Sequence, residues 1–177
     1  MREIRKILVY GAGMMGKNIA LVLSSMPNVQ VLVYDIRQVD MKTAMRDNLK
    51  PFLDAGMISV QEFERRIGQV KFTGELNEEL GEELDLVIEC VFEDMALKQR
   101  VFAELERICR RDTLMCTNTS VMSPTEISAN MKYRDRFMGT HFWNPAHLVP
   151  LVEVVKSDAT SSEAAETVVS FLTACGK

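Results

Sequence analysis

The sequence predicts an α/β fold in which a mainly parallel β-sheet is wound on both sides by helices. Short, continuously apolar runs recur at Ile7–Tyr10, Val29–Tyr34, Leu84–Phe92, Thr113–Thr117 and Arg136–Phe142, which suits strands buried on both faces rather than half-exposed ones. Stretches with helical periodicity separate them, the pattern of parallel strands joined by crossover helices. The first run opens directly into Gly11, Gly13 and Gly16, a strand-to-helix turn spaced for a dinucleotide.

Each glycine has a separate task. Gly11 permits the tight turn, Gly13 lets the backbone approach a pyrophosphate, and Gly16 lets the helix from about Met14 pack on the strand. The N-terminus of that helix then faces the phosphates. Met14 and Met15 sit at this turn and line the cleft or fill it as adaptable packing. The second run ends in Asp35, about twenty residues on, where a carboxylate accepts from an adenosine ribose and repels a 2′-phosphate. NAD is therefore expected rather than NADP. The competing reading is a packing turn beside an unrelated surface Asp35.

The bulk properties limit the alternatives. A length of 177 residues suits one domain with a continuous core. A net charge of −4 gives no reason to expect nucleic acid or an anionic membrane as partner. No apolar run is long enough to span a bilayer, and MREIRKILVYG has no signal-peptide core. Cys90, Cys109, Cys116 and Cys175 are dispersed and only two histidines accompany them, so neither a metal site nor a disulfide framework is expected. The expectation is a soluble, cytoplasmic protein.

Along the chain, the first helix buries Ile19, Val22, Leu23 and Met26 and stops at Pro27-Asn28. Two helices, about Gln38–Leu53 and Val60–Ile67 around a turn at Asp54-Ala55-Gly56, form a hairpin inserted after the second strand. Lys42, Arg46 and Lys50 share one helix face. That stripe is a solvated surface or a seat for the phosphates of a long substrate such as coenzyme A. Val70–Phe72 reads as a short strand and Glu75–Glu83 as an exposed acidic stretch. Glu93 and Asp94 lie at the end of the run Leu84–Phe92, where ligands of open parallel sheets collect. The next helix, about Met95–Arg110, carries Lys98 in its first turn, against the dipole.

Ser123-Pro124-Thr125-Glu126 marks one helix start and Thr160-Ser161-Ser162-Glu163 another, running to about Ala174 with Gly176 beyond it. The first leaves Asn118 and Ser120 in a loop on the glycine edge. His141 ends one strand and Glu153 lies on the next, Leu151–Val155. An imidazole takes the proton of a secondary alcohol as hydride leaves its carbon, and a carboxylate on the far nitrogen fixes the tautomer. Ser120 donates to a substrate oxygen or only forms the turn. Asn144, before Pro145, has the same two readings, and His147 reads as a loop histidine.

Taken together, GAGMMGKNIA, Asp35, VIECVFEDMALK, TNTSVMSPTEIS and RFMGTHFWNPAHLVPLVEVV resemble the NAD-binding domain of the L-3-hydroxyacyl-CoA dehydrogenases, nearly end to end. The resemblance implies a Rossmann-type fold and a catalytic pair at His141 and Glu153. It also implies that Ser120 meets the substrate's 3-oxygen and that Glu93 and Lys98 hold the nicotinamide ribose. Asn118 and Asn144 are taken as cofactor and substrate contacts, and Glu89 fits the pattern without an assigned role. Lys17-Asn18 stands where the family usually has small residues. The substrate is an acyl-CoA or another 3-hydroxy acid such as carnitine, and a non-catalytic NAD-binding relative is the other alternative. Family members continue into a helical domain that completes the acyl pocket and makes the homodimer. Without it, this domain is expected to bind NAD and turn over poorly.

Overall fold

A computed structural model describes residues 3–177. Seven strands form one sheet in the order β3-β2-β1-β4-β5-β6-β7. They are β1 (Lys6–Tyr10), β2 (Gln30–Tyr34), β3 (Val70–Thr73), β4 (Leu86–Glu89), β5 (Leu114–Thr117), β6 (Phe137–Phe142) and β7 (Val152–Lys156). All neighbours are parallel except β6 and β7. The order reverses between β1 and β4, which opens a crevice at their carboxyl ends. Seven helices connect and flank the strands: α1 (Met14–Leu23), α2 (Met41–Asp54), α3 (Val60–Gln69), α4 (Glu78–Glu83), α5 (Met95–Ile108), α6 (Pro124–Ile127) and α7 (Ser162–Ala174).

Apolar side chains on the two faces of the sheet build separate cores. Ile7, Val9, Val31, Val33, Leu86 and Ile88 pack with α1, α2, α3 and α7. Leu8, Leu32, Val87 and Met115 pack with α5 and the α6 region. This alternation is why the strands read as unbroken hydrophobic runs. The cysteines pack as small apolar groups. Burial pushes the thiols of Cys109, Cys116 and Cys175 up to about 12, and that of Cys90 higher still.

The α2–α3 hairpin is fastened to the far end of α1. Arg66 donates to the Leu21 carbonyl at 2.6 Å and to Ser24 Oγ at 3.1 Å, while Gln69 donates to the carbonyls of Met26, Pro27 and Val29. These bonds satisfy carbonyls of the last turn of α1 and of the connection that follows it. The basic stripe on α2 is solvated: Lys42, Arg46 and Lys50 are exposed. Lys50 pairs with Asp54 at 2.7 Å and Arg46 lies 3.8 Å from Glu64.

Several boundaries differ from the sequence reading. α2 starts at Met41, not near Gln38, because Asp40 caps it by accepting from the Thr43 N–H. The acidic stretch contains α4, whose Gly81 is buried against the Ile108 carbonyl so closely that a Cβ would lie 2.2 Å from it. The run from Leu84 to Phe92 is strand only over Leu86–Glu89, after which the chain turns into the cleft. Ser161, not Thr160, caps α7 by accepting from Ala164 N–H. Thr160 instead donates to the Phe137 carbonyl and accepts from Ser157 N–H. At Ser123 the cap position and Pro124 are as expected, but no side chain closes the cap and α6 is a single turn.

Candidate functional site

The carboxyl ends of β1, β4, β5 and β6 converge on one edge of the sheet, and each contributes a loop. In the β1–α1 loop, Gly11 has a φ of +109° and a Cβ there would lie 2.9 Å from the Cys90 backbone, while a Cβ on Gly16 would lie 1.8 Å from the Gly11 oxygen. Both positions therefore exclude every side chain. Gly13 is different, with nothing within 4 Å of the position its Cβ would take. It is also the cap residue of α1, and no side chain hydrogen-bonds that helix start. An open approach to uncapped N–H groups is what a pyrophosphate needs.

Asp35 follows β2 and turns back to the same loop, its carboxylate accepting from the Ala12 N–H at 2.8 Å and the Arg37 N–H at 3.0 Å. Met15 packs on the core, while Met14 stays exposed at the mouth of the turn. Lys17 is half-buried and Asn18 buried within α1.

At the end of β4 the chain builds a buried polar knot. Lys98 Nζ donates to both oxygens of Glu89 at 2.8 and 3.0 Å and reaches the Val91 carbonyl at 3.3 Å. Neither side chain is more than 1% exposed. Thr117 Oγ1 on β5 and the Val91 N–H also donate to Glu89, at 2.7 and 2.6 Å. Burial raises the Glu89 carboxyl above its ordinary value, opposed by Lys98 and by these donors. On the outer side, Glu93 lies 3.6 Å from Lys98. Its oxygens accept from Thr119 Oγ1 at 2.8 Å and the Ser120 N–H at 2.7 Å. The lysine read from the sequence as misplaced against its helix dipole thus belongs to a carboxylate one strand away.

Asn118 joins the loops rather than standing free. Its N–H donates to the Glu89 carbonyl at 2.8 Å and its Oδ1 accepts from the Phe142 N–H at 2.9 Å. This bond fixes the end of β6, where His141 sits directly opposite Glu153 in the antiparallel register. His141 Nδ1 and Glu153 Oε2 are 2.7 Å apart. The His141 hydrogen bond, followed by that of Trp143 Nε1 at 3.3 Å, holds the Glu153 carboxyl below the usual carboxylate range. An ionised carboxylate only accepts, so in the neutral imidazole Nδ1 carries the proton and Nε2 is the acceptor.

A cavity of about 420 Å³ is lined by His141, Glu153, Ser120, Thr119, Ser123 and Gly139 among others. The structure therefore brings Ser120 and the His141–Glu153 pair to one space. Asn144 is exposed and is not among the residues lining that cavity; it makes a cis peptide bond with Pro145. His147 is apart from this group, half-buried against Phe52 with rings 6.1 Å apart. The sequence reading missed Glu89 as the partner of Lys98, Thr117 as a donor to Glu89, Thr119 as a donor to Glu93, and Trp143 as a donor to Glu153. Only Trp143 left a local signal, two residues from His141 and so on the same side of an extended chain.

Residues 6–177 match the family model described as "3-hydroxyacyl-CoA dehydrogenase, NAD binding domain". The chain belongs to this family. Among solved structures, the domain superposes on 3-hydroxybutyryl-CoA dehydrogenase from Escherichia coli with a TM-score of 0.94 and 34% identity, covering 99% of this chain and 37% of that one. Against Mycobacterium tuberculosis FadB2 the TM-score is 0.89 at 35% identity, covering 99% and 62% respectively. The peroxisomal fatty acid beta-oxidation multifunctional protein MFP2 of Arabidopsis thaliana is 34% identical over 167 residues, 92% of this chain. The chain spans 22% of the length of that relative. Among its described residues no helix is long and apolar enough to cross a membrane, and no three His, Cys, Asp or Glu side chains form a metal-binding group. The open Gly13 position, the uncapped start of α1 and Asp35 fit the NAD that this family binds.

Proposed function

We propose that this domain carries the cofactor and the proton-transfer group of an enzyme that interconverts an L-3-hydroxyacyl-CoA and a 3-oxoacyl-CoA. The observation that carries the reading is His141 Nδ1 held 2.7 Å from Glu153, in a cavity shared with Ser120 and beside the cleft that suits NAD. Gly11, Gly13, Met14, Met15 and Gly16 hold the pyrophosphate end, Asp35 the adenosine ribose, and Glu93 and Asn118 the nicotinamide end. When bound, NAD supplies a hydride acceptor. His141 Nε2 takes the hydroxyl proton and returns it in the reverse direction, while Glu153 stabilises the resulting imidazolium. Ser120 Oγ donates to the 3-oxygen and Asn144 orients the substrate. Lys98 supports the nicotinamide side through Glu93, because its own ammonium is enclosed by Glu89.

A second reading, a dehydrogenase of free 3-hydroxy acids, is favoured by the α2 cations. Two of the three that were candidates for coenzyme A phosphates lie beside carboxylates of the α2–α3 hairpin itself. The helical domain and homodimer of the family would complete either enzyme, and four unbridged cysteines suit a reducing, cytoplasmic setting.

The test joins this domain to such a helical domain and follows NADH formation from L-3-hydroxybutyryl-CoA, free 3-hydroxybutyrate and carnitine. His141→Gln should lower turnover of the preferred substrate by about 10²–10⁴-fold. Turnover of the thioester alone supports the CoA reading and turnover of the free acids alone the second. Unchanged turnover in His141→Gln removes His141 from the chemistry.

A further inference from the structure

One oxygen of Glu153 accepts two hydrogen bonds, from His141 Nδ1 at 2.7 Å and from Trp143 Nε1 at 3.3 Å. We propose that Trp143 is a positioning residue for the His141–Glu153 pair, its indole N–H holding the carboxylate in line with the imidazole. The proposal rests on the reading of His141 as the proton-transfer group.

The need for such a residue follows from where Glu153 stands. It lies on the edge strand β7 with a side chain 48% exposed. A glutamate in that position has several rotamers open to it, and solvent-exposed ion pairs gain little over the entropy of holding them. Among the described residues, His141 and Trp143 are the side chains that donate to this carboxylate. A second anchor on the same oxygen restricts the glutamate before the imidazole meets it.

The indole also touches the other partner. Its ring lies 5.6 Å from the imidazole, centroid to centroid, tilted by 47°. Trp143 therefore borders His141 and bonds Glu153 at once, and β6 enters this turn with its end tied to Asn118. The other charged side chain lining the cavity is Lys156 of β7. From the β5–α6 segment the lining groups are neutral: Thr119, Ser120, Ser123 and Thr125. No acid other than Glu153 lines that cavity.

The chain has one tryptophan and two histidines, so side-chain NMR resolves this arrangement without ambiguity. In the unaltered protein the Trp143 indole proton should move over the same pH interval as the Glu153 carboxyl carbon, and Glu153→Gln should abolish that movement. Trp143→Phe keeps a ring against His141 but removes the N–H. It should raise the Glu153 titration midpoint toward the ordinary carboxylate range and increase the Nε2–H tautomer of neutral His141 at least twofold, read from the ring ¹⁵N shifts. An indole signal indifferent to Glu153→Gln overturns the proposal, as does Trp143→Phe with the parent's midpoint and tautomer ratio. Should Trp143→Phe fail to fold, the indole titration of the unaltered protein decides. Failure of the catalytic reading looks different: His141→Gln would retain turnover while the Trp143–Glu153 coupling persisted.

Discussion

Replacing Lys98 by methionine keeps the aliphatic stem and removes the ammonium. Taking one partner from a buried ion pair costs about 3–5 kcal/mol, because the remaining charge is left without a counter-ion away from water. Glu89 is fully buried, so solvent cannot screen it. It keeps the Thr117 hydroxyl and the Val91 N–H as donors, which places the expected loss near the lower end, about 3 kcal/mol. That is a large share of the roughly 5–15 kcal/mol by which a domain is stable.

The loss should also depend on pH in a defined direction. Burial already lifts Glu89 above the ordinary carboxylate value, against the pull of Lys98, and without Lys98 the lift increases. A carboxyl whose folded pKa exceeds its unfolded value binds its proton more tightly when folded, so stability falls as pH climbs from the unfolded value through the folded one. Lys98→Met should therefore lie closer to the parent at pH about 5 than at pH about 8, and adding Glu89→Gln should recover part of the loss. Urea unfolding followed by circular dichroism at both pH values measures this. A loss below about 1 kcal/mol at the higher pH, or the same loss at both, would refute the reasoning.

The glycines of the first loop separate packing from binding. Gly16→Ala forces a methyl onto the Gly11 oxygen, 1.8 Å away, and should cost about 1–3 kcal/mol in urea unfolding along with most NADH affinity. Gly13→Ala meets no atom of the chain within 4 Å, at a φ of −66° that any residue adopts. Its stability should stay within about 0.5 kcal/mol of the parent, while NADH affinity, read by fluorescence titration, falls at least about tenfold. Parent-like affinity there would mean that the pyrophosphate does not cross Gly13. Asp35→Asn retains an oxygen for the Ala12 N–H and loses the charge, so the preference for NADH over NADPH should narrow about tenfold or more; an unchanged ratio would take Asp35 out of cofactor selection.

What the sequence determined by itself rests on local pattern, though not to the exact cap residue. Buried parallel strands such as Ile7–Tyr10 have to be continuously apolar. Gly11, Gly13 and Gly16 stand at fixed spacing because one turn has to meet a helix. His141 and Glu153 fall on successive runs, which makes a contact between them feasible without establishing it. These signals survive in one dimension because strand period, turn geometry and helix start each involve neighbours within a few residues.

Tertiary structure decided the rest, because it depends on which strands become neighbours. Lys98 reads as a surface cation until the end of β4 buries it against Glu89, which Thr117 of β5 holds from the other side. Gln69 and Arg66 are ordinary polar residues of an amphipathic helix until α3 lies on the carbonyl end of α1. The acidic run around α4 becomes a packed helix only where Gly81 meets Ile108. A buried charge or an unpaired carbonyl is stabilised by whatever the fold brings within about 3 Å of it, and sequence separation says little about that distance.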